Sequence, residues 1–276
     1  MNKDDLLLGK ETQYVFTYDN SLIFPIARKG NRDRLNMPVK KVNGELPFFG
    51  QDVWTGYELS WLNLKGKPQV AIAEFVIPAE SNNIVESKSF KLYLNSFNNT
   101  RLENIDQVKT RLQQDLSVGF GAEIVVNLFA VDAFPLAKTR LGENIDGLDI
   151  EVEDFEPNAS LLKVSKNVEV QTLNSHLLKS NCPVTGQPDW ATLVVQYKGS
   201  EIDKASLLKY IISYRNHDDF HEHCVEQIFC DLSQVGEFDE LVVTARYTRR
   251  GGLDINPTRS LKPLTTPDIV GRLARQ

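Results

Sequence analysis

Two like modules of α+β architecture, each an antiparallel sheet with a pair of helices on one face, are what this sequence predicts. Three observations carry the expectation. The order strand, helix, helix, strand occurs twice. An acidic run without a basic residue, Glu143 to Glu156, separates the two occurrences. The 276 residues allow two domains of ordinary size.

In the first half, Trp54 to Leu64 reads as a strand, and so does Gln69-Val-Ala-Ile-Ala-Glu-Phe-Val-Ile77, apolar and β-branched, with Pro78 ending it. Phe90, Tyr93, Leu94 and Phe97 fall at i, i+3, i+4 and i+7, the apolar stripe of a helix. Ile105, Val108, Leu112 and Leu116 mark a second helix, with Gly119 as its expected close. Ala122 to Val131 completes the half as a strand. The second half repeats the order. Val168 to Leu178 and Ala191-Thr-Leu-Val-Val-Gln-Tyr197 are strands. Leu207, Leu208, Ile211 and Ile212 form one helical face, and Val225, Ile228, Phe229 and Leu232 another. Leu241-Val-Val-Thr-Ala-Arg-Tyr247 is the closing strand. Strands outside paired helices favour an antiparallel layer with helices on one side. The expected division is therefore a module over 1–142, an acidic linker over 143–160 and a module over 161–276. Seven like charges between Glu143 and Glu156 read as a solvated loop.

Composition narrows the function classes. With 31 basic and 37 acidic residues the net charge is −6, which argues against a general nucleic-acid binder. Three Cys do not make a disulfide framework. No apolar run has the length of a membrane span, and the first ten residues lack a secretory pattern. The expectation is a soluble, reduced, cytoplasmic protein.

Four stretches can carry chemistry. In Asn181-Cys182-Pro-Val-Thr-Gly-Gln-Pro-Asp189-Trp190, two Pro and a Gly stiffen a turn before a strand. The turn holds a thiol and, seven residues on, a carboxylate that can exchange a proton with it. An inert buried Cys beside a capping Asp fits the same residues. In Asn216-His-Asp-Asp-Phe220-His221-Glu222-His223-Cys224, the acidic residues suit a helix start. Glu222 can also accept paired N–H bonds from a guanine-like edge, and His221 can orient or protonate a bound group. Cys182, His221, His223 and Cys224 admit a zinc reading, but His221 and His223 are two apart on a helix and diverge. Val85-Glu86-Ser87-Lys88-Ser89-Phe90-Lys91 sets two Lys three apart at a helix start, either an anion site or a solvated face. Arg249-Arg250-Gly251-Gly252 follows a strand, where Gly admits close backbone approach and Arg suits phosphate. No Gly-x-Gly-x-x-Gly and no Walker loop is present.

Together these stretches resemble one family. Glu86-Ser-Lys-Ser-Phe-Lys-Leu-Tyr93, Cys182-Pro-Val-Thr-Gly-Gln-Pro-Asp189, Phe220-His-Glu222 and Arg249-Arg-Gly-Gly-Leu-Asp-Ile-Asn-Pro257 are similar, in order and spacing, to the NADPH-dependent 7-cyano-7-deazaguanine reductases. These are the nitrile reductases of queuosine biosynthesis, here in the long, two-module form. The resemblance implies tandem tunnelling-fold modules, shared with GTP cyclohydrolase I, and a homodimer. It implies reduction of a nitrile to a primary amine with two NADPH. It implies that Cys182 attacks the nitrile carbon to give a thioimide and that Asp189 donates the proton, with His221 a further candidate. Val85, Glu86, Ser87, Phe220, His221 and Glu222 would then hold the deazaguanine. Ser87, Lys88, Arg250 and Gly251 would contact NADPH. No metal is expected, and no direct contact with nucleic acid or membrane. A zinc-dependent cyclohydrolase of the same fold is the competing reading.

Overall fold

The structure, a computed structural model, describes residues 14–38, 41–135, 141–264 and 272–276. The segment tested for a secretory pattern lies outside the described residues. The chain divides into two compact units, each taken over its described residues. The first takes in residues up to Asp33, Asp52–Pro135 and Arg249–Ile255. The second takes in Arg34–Gln51, the described residues up to Thr248, and those from Asn256.

The elements in chain order are β1 (Pro25–Ala27), α1 (Lys29–Arg32), β2 (Phe49–Leu62), β3 (Pro68–Pro78), β4 (Asn83–Val85), α2 (Ser87–Ser96), α3 (Ile105–Phe120) and β5 (Val125–Phe129). They continue with β6 (Glu143–Asn144), β7 (Val164–Asn181), β8 (Pro188–Ile202), α4 (Lys204–Ser213), α5 (His221–Val235), β9 (Phe238–Tyr247) and β10 (Leu253–Ser260). The architecture is mixed, with sheets that are mostly antiparallel.

In the first unit β5, β3 and β2 lie side by side, and β1 pairs with β4 in a small ribbon. Alternation places Ala71, Ala73, Phe75 and Ile77 of β3 on one face, where they join Phe90 of α2, Phe97 at its C-cap, and Leu112 and Leu116 of α3 in one apolar cluster. In the second unit β9, β8, β7 and β6 follow one another, and the α5 residues Val225, Ile228, Phe229 and Leu232 are buried as their spacing requires.

The two units repeat one set of hydrogen bonds. Asp19 accepts from the backbone N–H and hydroxyl of Ser21 at 2.9 and 2.6 Å, and Asn158 does the same for Ser160 at 3.1 and 2.6 Å. The Glu86 N–H donates to the Phe24 carbonyl at 2.9 Å, and the Asp203 N–H to that of Lys163 at 3.0 Å. Ser89 Oγ then accepts from the Phe24 N–H at 3.1 Å and Ser206 Oγ from the Lys163 N–H at 3.0 Å. Tyr93 of α2 donates to Asp115 of α3 at 2.7 Å, and Tyr210 of α4 to Asp231 of α5 at 2.6 Å. The same donors and acceptors at corresponding helix positions make the internal repeat a matter of geometry as well as element order.

Three details depart from the sequence expectation. Gly119 lies inside α3; the helix closes at Gly121, whose left-handed φ of 66° presents its N–H to Ser117 and Val118. Gly119 is small because a Cβ there would stand 2.7 Å from Ile23 Cγ2. The acidic stretch does not begin as a free loop: β6 runs parallel to β7, and Asp146 accepts from the His176 N–H at 2.9 Å. The residues after Gly252 continue as β10, whose polar Asp254, Asn256 and Arg259 are buried. No helix among the described residues is long and apolar enough to cross a membrane.

Candidate active site

The second unit carries the thiol. Cys182 follows β7 and is buried. Its N–H donates to the Gln187 carbonyl and its carbonyl accepts from the Gly186 N–H, both at 2.9 Å, so the Pro- and Gly-containing turn closes on itself. Gly186 takes a φ of 67° there, a conformation that suits Gly. Across the hairpin Ser180 faces Asp189 and Asn181 faces Pro188. Cys182 is the first residue beyond β7, two after Ser180.

Asn181 ties this turn to the loop before α5. Its N–H donates to the His217 carbonyl at 2.8 Å, its carbonyl accepts from the Asp219 N–H at 3.1 Å, and its side chain donates to Asp218 at 3.0 Å. The chain enters α5 at Phe220, with His221 and Glu222 in the first turn. His221 Nε2 then lies 3.2 Å from Asp189 Oδ2. Asp189, Glu222 and Cys182 are all buried. Asp189 and His221 are thus in contact, and Cys182 and Glu222 lie on the two segments that Asn181 joins.

Asp219 does more than suit a helix start. Its Oδ1 accepts from the Phe220 N–H at 2.8 Å, and its Oδ2 meets His223 Nδ1, His217 Nε2 at 3.6 Å and the Arg34 guanidinium at 3.8 Å. Burial acts to raise its pKa, but the hydrogen bonds from His217 and His223 outweigh that and hold it well below the usual carboxylate range. Tyr247, which the motif analysis passed over, stacks on His221 with centroids 3.8 Å apart and planes 11° apart. An aromatic at the end of a strand entering a basic motif was the signal available. Cys224 and Cys230 are buried free thiols, and burial pushes Cys230 up to about 12. His221 turns to Asp189 and His223 to Asp219, so the proposed zinc set does not converge. No group of three His, Cys, Asp or Glu among the described residues could hold a metal.

The first unit carries the basic motif. Val85 ends β4 and is buried, and Glu86 caps α2. Its two carboxylate oxygens accept from the Lys88 and Ser89 N–H groups, each at 2.8 Å. Burial raises the Glu86 pKa, against those bonds and the nearby Lys91 and Lys88. Ser87 and Lys88 open the helix. Gly251 has a φ of 59°, and a Cβ on it would stand 3.4 Å from Lys91 Nζ. The Arg249–Gly252 turn is pinned to β2: the Tyr57 N–H donates to the Gly252 carbonyl at 2.9 Å, and the Arg249 guanidinium lies 4.8 Å from the Tyr57 ring centroid. Lys91, Arg250 and Gly251 therefore share one corner of this unit, beside the helix start that carries Ser87 and Lys88.

Comparison with known proteins gives the family. The family described as "Nitrile reductase, 7-cyano-7-deazaguanine-reductase N-term" matches residues 14–128, and that described as "QueF-like protein" matches residues 188–264. An NADPH-dependent 7-cyano-7-deazaguanine reductase of Hydrogenovibrio crunogenus is 54% identical over 93% of this chain and 92% of its own. Proteins of the same name from Bordetella avium and Paraburkholderia phymatum are 52% and 50% identical, each over the full length of both chains. The chain belongs to the family of NADPH-dependent 7-cyano-7-deazaguanine reductases.

Proposed function

We propose that this protein reduces the nitrile 7-cyano-7-deazaguanine to the primary amine 7-aminomethyl-7-deazaguanine with NADPH, in the biosynthesis of the modified tRNA base queuosine. The observation that carries the reading is the Cys182 turn stitched through Asn181 to the start of α5, with Asp189 and His221 3.2 Å apart, in a chain of this family.

The chemistry follows from the groups present. A nitrile is an electrophile at carbon and has no acidic proton to lose. The Cys182 thiolate adds to that carbon: a C–S bond forms, the C≡N bond becomes C=N, and nitrogen takes a proton. Asp189 is the donor, and His221, in contact with it, can return the proton or pass one at the later imine stage. Glu222 is buried in the first turn of α5, and a buried carboxylate suits the paired N–H donors of a deazaguanine edge. Phe220 is a further proposed substrate contact of the second unit, and Val85, Glu86 and Ser87 are proposed substrate-binding residues of the first. His221 Nδ1 is buried without a hydrogen-bond partner among the described residues, which supports a bond to bound substrate.

The first unit fits a phosphate-bearing cofactor. Lys88 stands at a helix N-terminus, and the space beside Lys91 is one that a Cβ at position 251 would narrow. Ser87, Lys88, Arg250 and Gly251 would hold NADPH, which supplies hydride when bound.

The repeated hydrogen bonds support two tunnelling-fold modules divided near 143–160. Among the described strands β5 has a neighbour on one side only, and Val125 on it is exposed, which supports a homodimer that extends the sheet. Three free thiols support a cytoplasmic setting. The experiment is loss of reduced-nicotinamide absorbance on adding 7-cyano-7-deazaguanine to protein and NADPH. Stoichiometric loss of two NADPH per amine formed is expected; no loss refutes the reading.

A further inference from the structure

We infer that Tyr247 is a positioning residue for His221, fixing the plane of the imidazole so that Nε2 addresses Asp189. The inference rests on the proposed role of His221. The stacking itself is the first observation: centroids 3.8 Å apart and planes 11° apart leave the imidazole little freedom to tilt. Its direction is the second, since with the ring so held Nε2 meets Asp189 Oδ2 at 3.2 Å.

The third observation is how rigidly the Tyr247 platform is built. Tyr247 faces Ala191 in the β8–β9 ladder, two residues from Asp189 on β8. The next N–H, of Thr248, donates to the Trp190 carbonyl at 2.8 Å. The Tyr247 carbonyl accepts from Gln276 Nε2 at 3.2 Å, and that amide also donates to Asn256 at 2.7 Å and accepts from Arg246 at 3.1 Å. Both supports of the histidine, the stacking ring and the carboxylate, therefore sit on adjacent strands within three residues of each other. The buried Tyr247 hydroxyl lies beside Ser180 and Cys224. The ring, and not the hydroxyl, is what reaches His221.

Two substitutions separate ring from hydroxyl. Tyr247→Phe keeps the stacking face, and kcat stays within about threefold of the parent. Tyr247→Met fills similar space without a ring, and kcat falls by about tenfold or more, the scale of a misplaced catalytic group. The Met variant also displaces the pH profile of kcat, and it adds no further loss to His221→Ala. A purely structural tyrosine would leave the pH profile unmoved and would add its loss to that of His221→Ala. A Met variant with parent kcat, additive losses, or a Phe variant as impaired as Met would overturn the inference. His221→Ala is measured alongside: parent-like turnover there would overturn the role of His221 itself, a failure distinct from that of Tyr247. If the Met variant does not fold, the His221 ring protons of the parent decide by nuclear magnetic resonance. Upfield displacement by the Tyr247 ring current supports the inference, and unshifted protons overturn it.

Discussion

Replacing Glu86 by alanine removes both acceptors for the Lys88 and Ser89 N–H groups at the start of α2, each now 2.8 Å from a carboxylate oxygen. A charged acceptor on a backbone donor contributes about 1.5–3 kcal/mol. Burial opposes this, since it raises the Glu86 pKa and so disfavours the ionised form. The net loss should lie at the upper end of the range for helix caps, about 2 kcal/mol. At roughly 2–4 °C per kcal/mol for a domain of this size, Tm falls by about 4–8 °C. Glu86→Gln retains one acceptor and should lose about half as much. Thermal unfolding followed by circular dichroism is the assay, with the Michaelis constants for nitrile and NADPH measured on the same variants. A Tm within about 1 °C of the parent for Glu86→Ala would refute the capping argument. If that variant nevertheless lost affinity for the nitrile, Glu86 would be a ligand contact alone.

Other expectations follow from the same reasoning. Asp219→Asn should destabilise by about 2 kcal/mol at neutral pH, because a buried charged acceptor is lost to His217 and His223. The folded pKa is depressed, so this stabilisation is present above the unfolded value near ~3.9 and is lost as pH falls toward the folded one. The difference between parent and variant in urea unfolding should be full above about pH 5 and shrink progressively as pH falls below about pH 4 toward the depressed folded value; a difference that stays constant over that fall is contrary to expectation. Gly119→Ala should cost about 1–3 kcal/mol, since its Cβ would meet Ile23 at 2.7 Å, and an unchanged denaturation midpoint would contradict it. Lys88→Ala should raise the Michaelis constant for NADPH more than that for the nitrile, and equal effects on both would remove Lys88 from the cofactor contacts.

Much of this was legible in the sequence, for physical reasons that differ by element. The paired helices declared themselves because Phe90, Tyr93, Leu94 and Phe97, or Val225, Ile228, Phe229 and Leu232, must all face a core, and those residues are buried. β10 did not, because it is buried on both faces and uses Asp254, Asn256 and Arg259 there, so no apolar alternation remains to read. Gly119 looked like a helix end since Gly usually marks one; its cause is contact with Ile23, distant in sequence. The motif residues Cys182, Asp189, His221 and Glu222 were found by type and spacing. The link between their two segments was not, because it runs through the backbone of Asn181. Tyr247 escaped for a related reason: ring stacking between residues on a strand and a helix has no sequence period.

The central claim, that Cys182 is the nucleophile, meets its most direct test in the intact mass of the protein after incubation with 7-cyano-7-deazaguanine and no NADPH. The account predicts a gain equal to one nitrile molecule per chain, located on the peptide that contains Cys182, reversed by turnover when NADPH is added, and absent from Cys182→Ala. A Cys182→Ala variant that forms the same adduct, or that reduces the nitrile at a rate near the parent's, would contradict it.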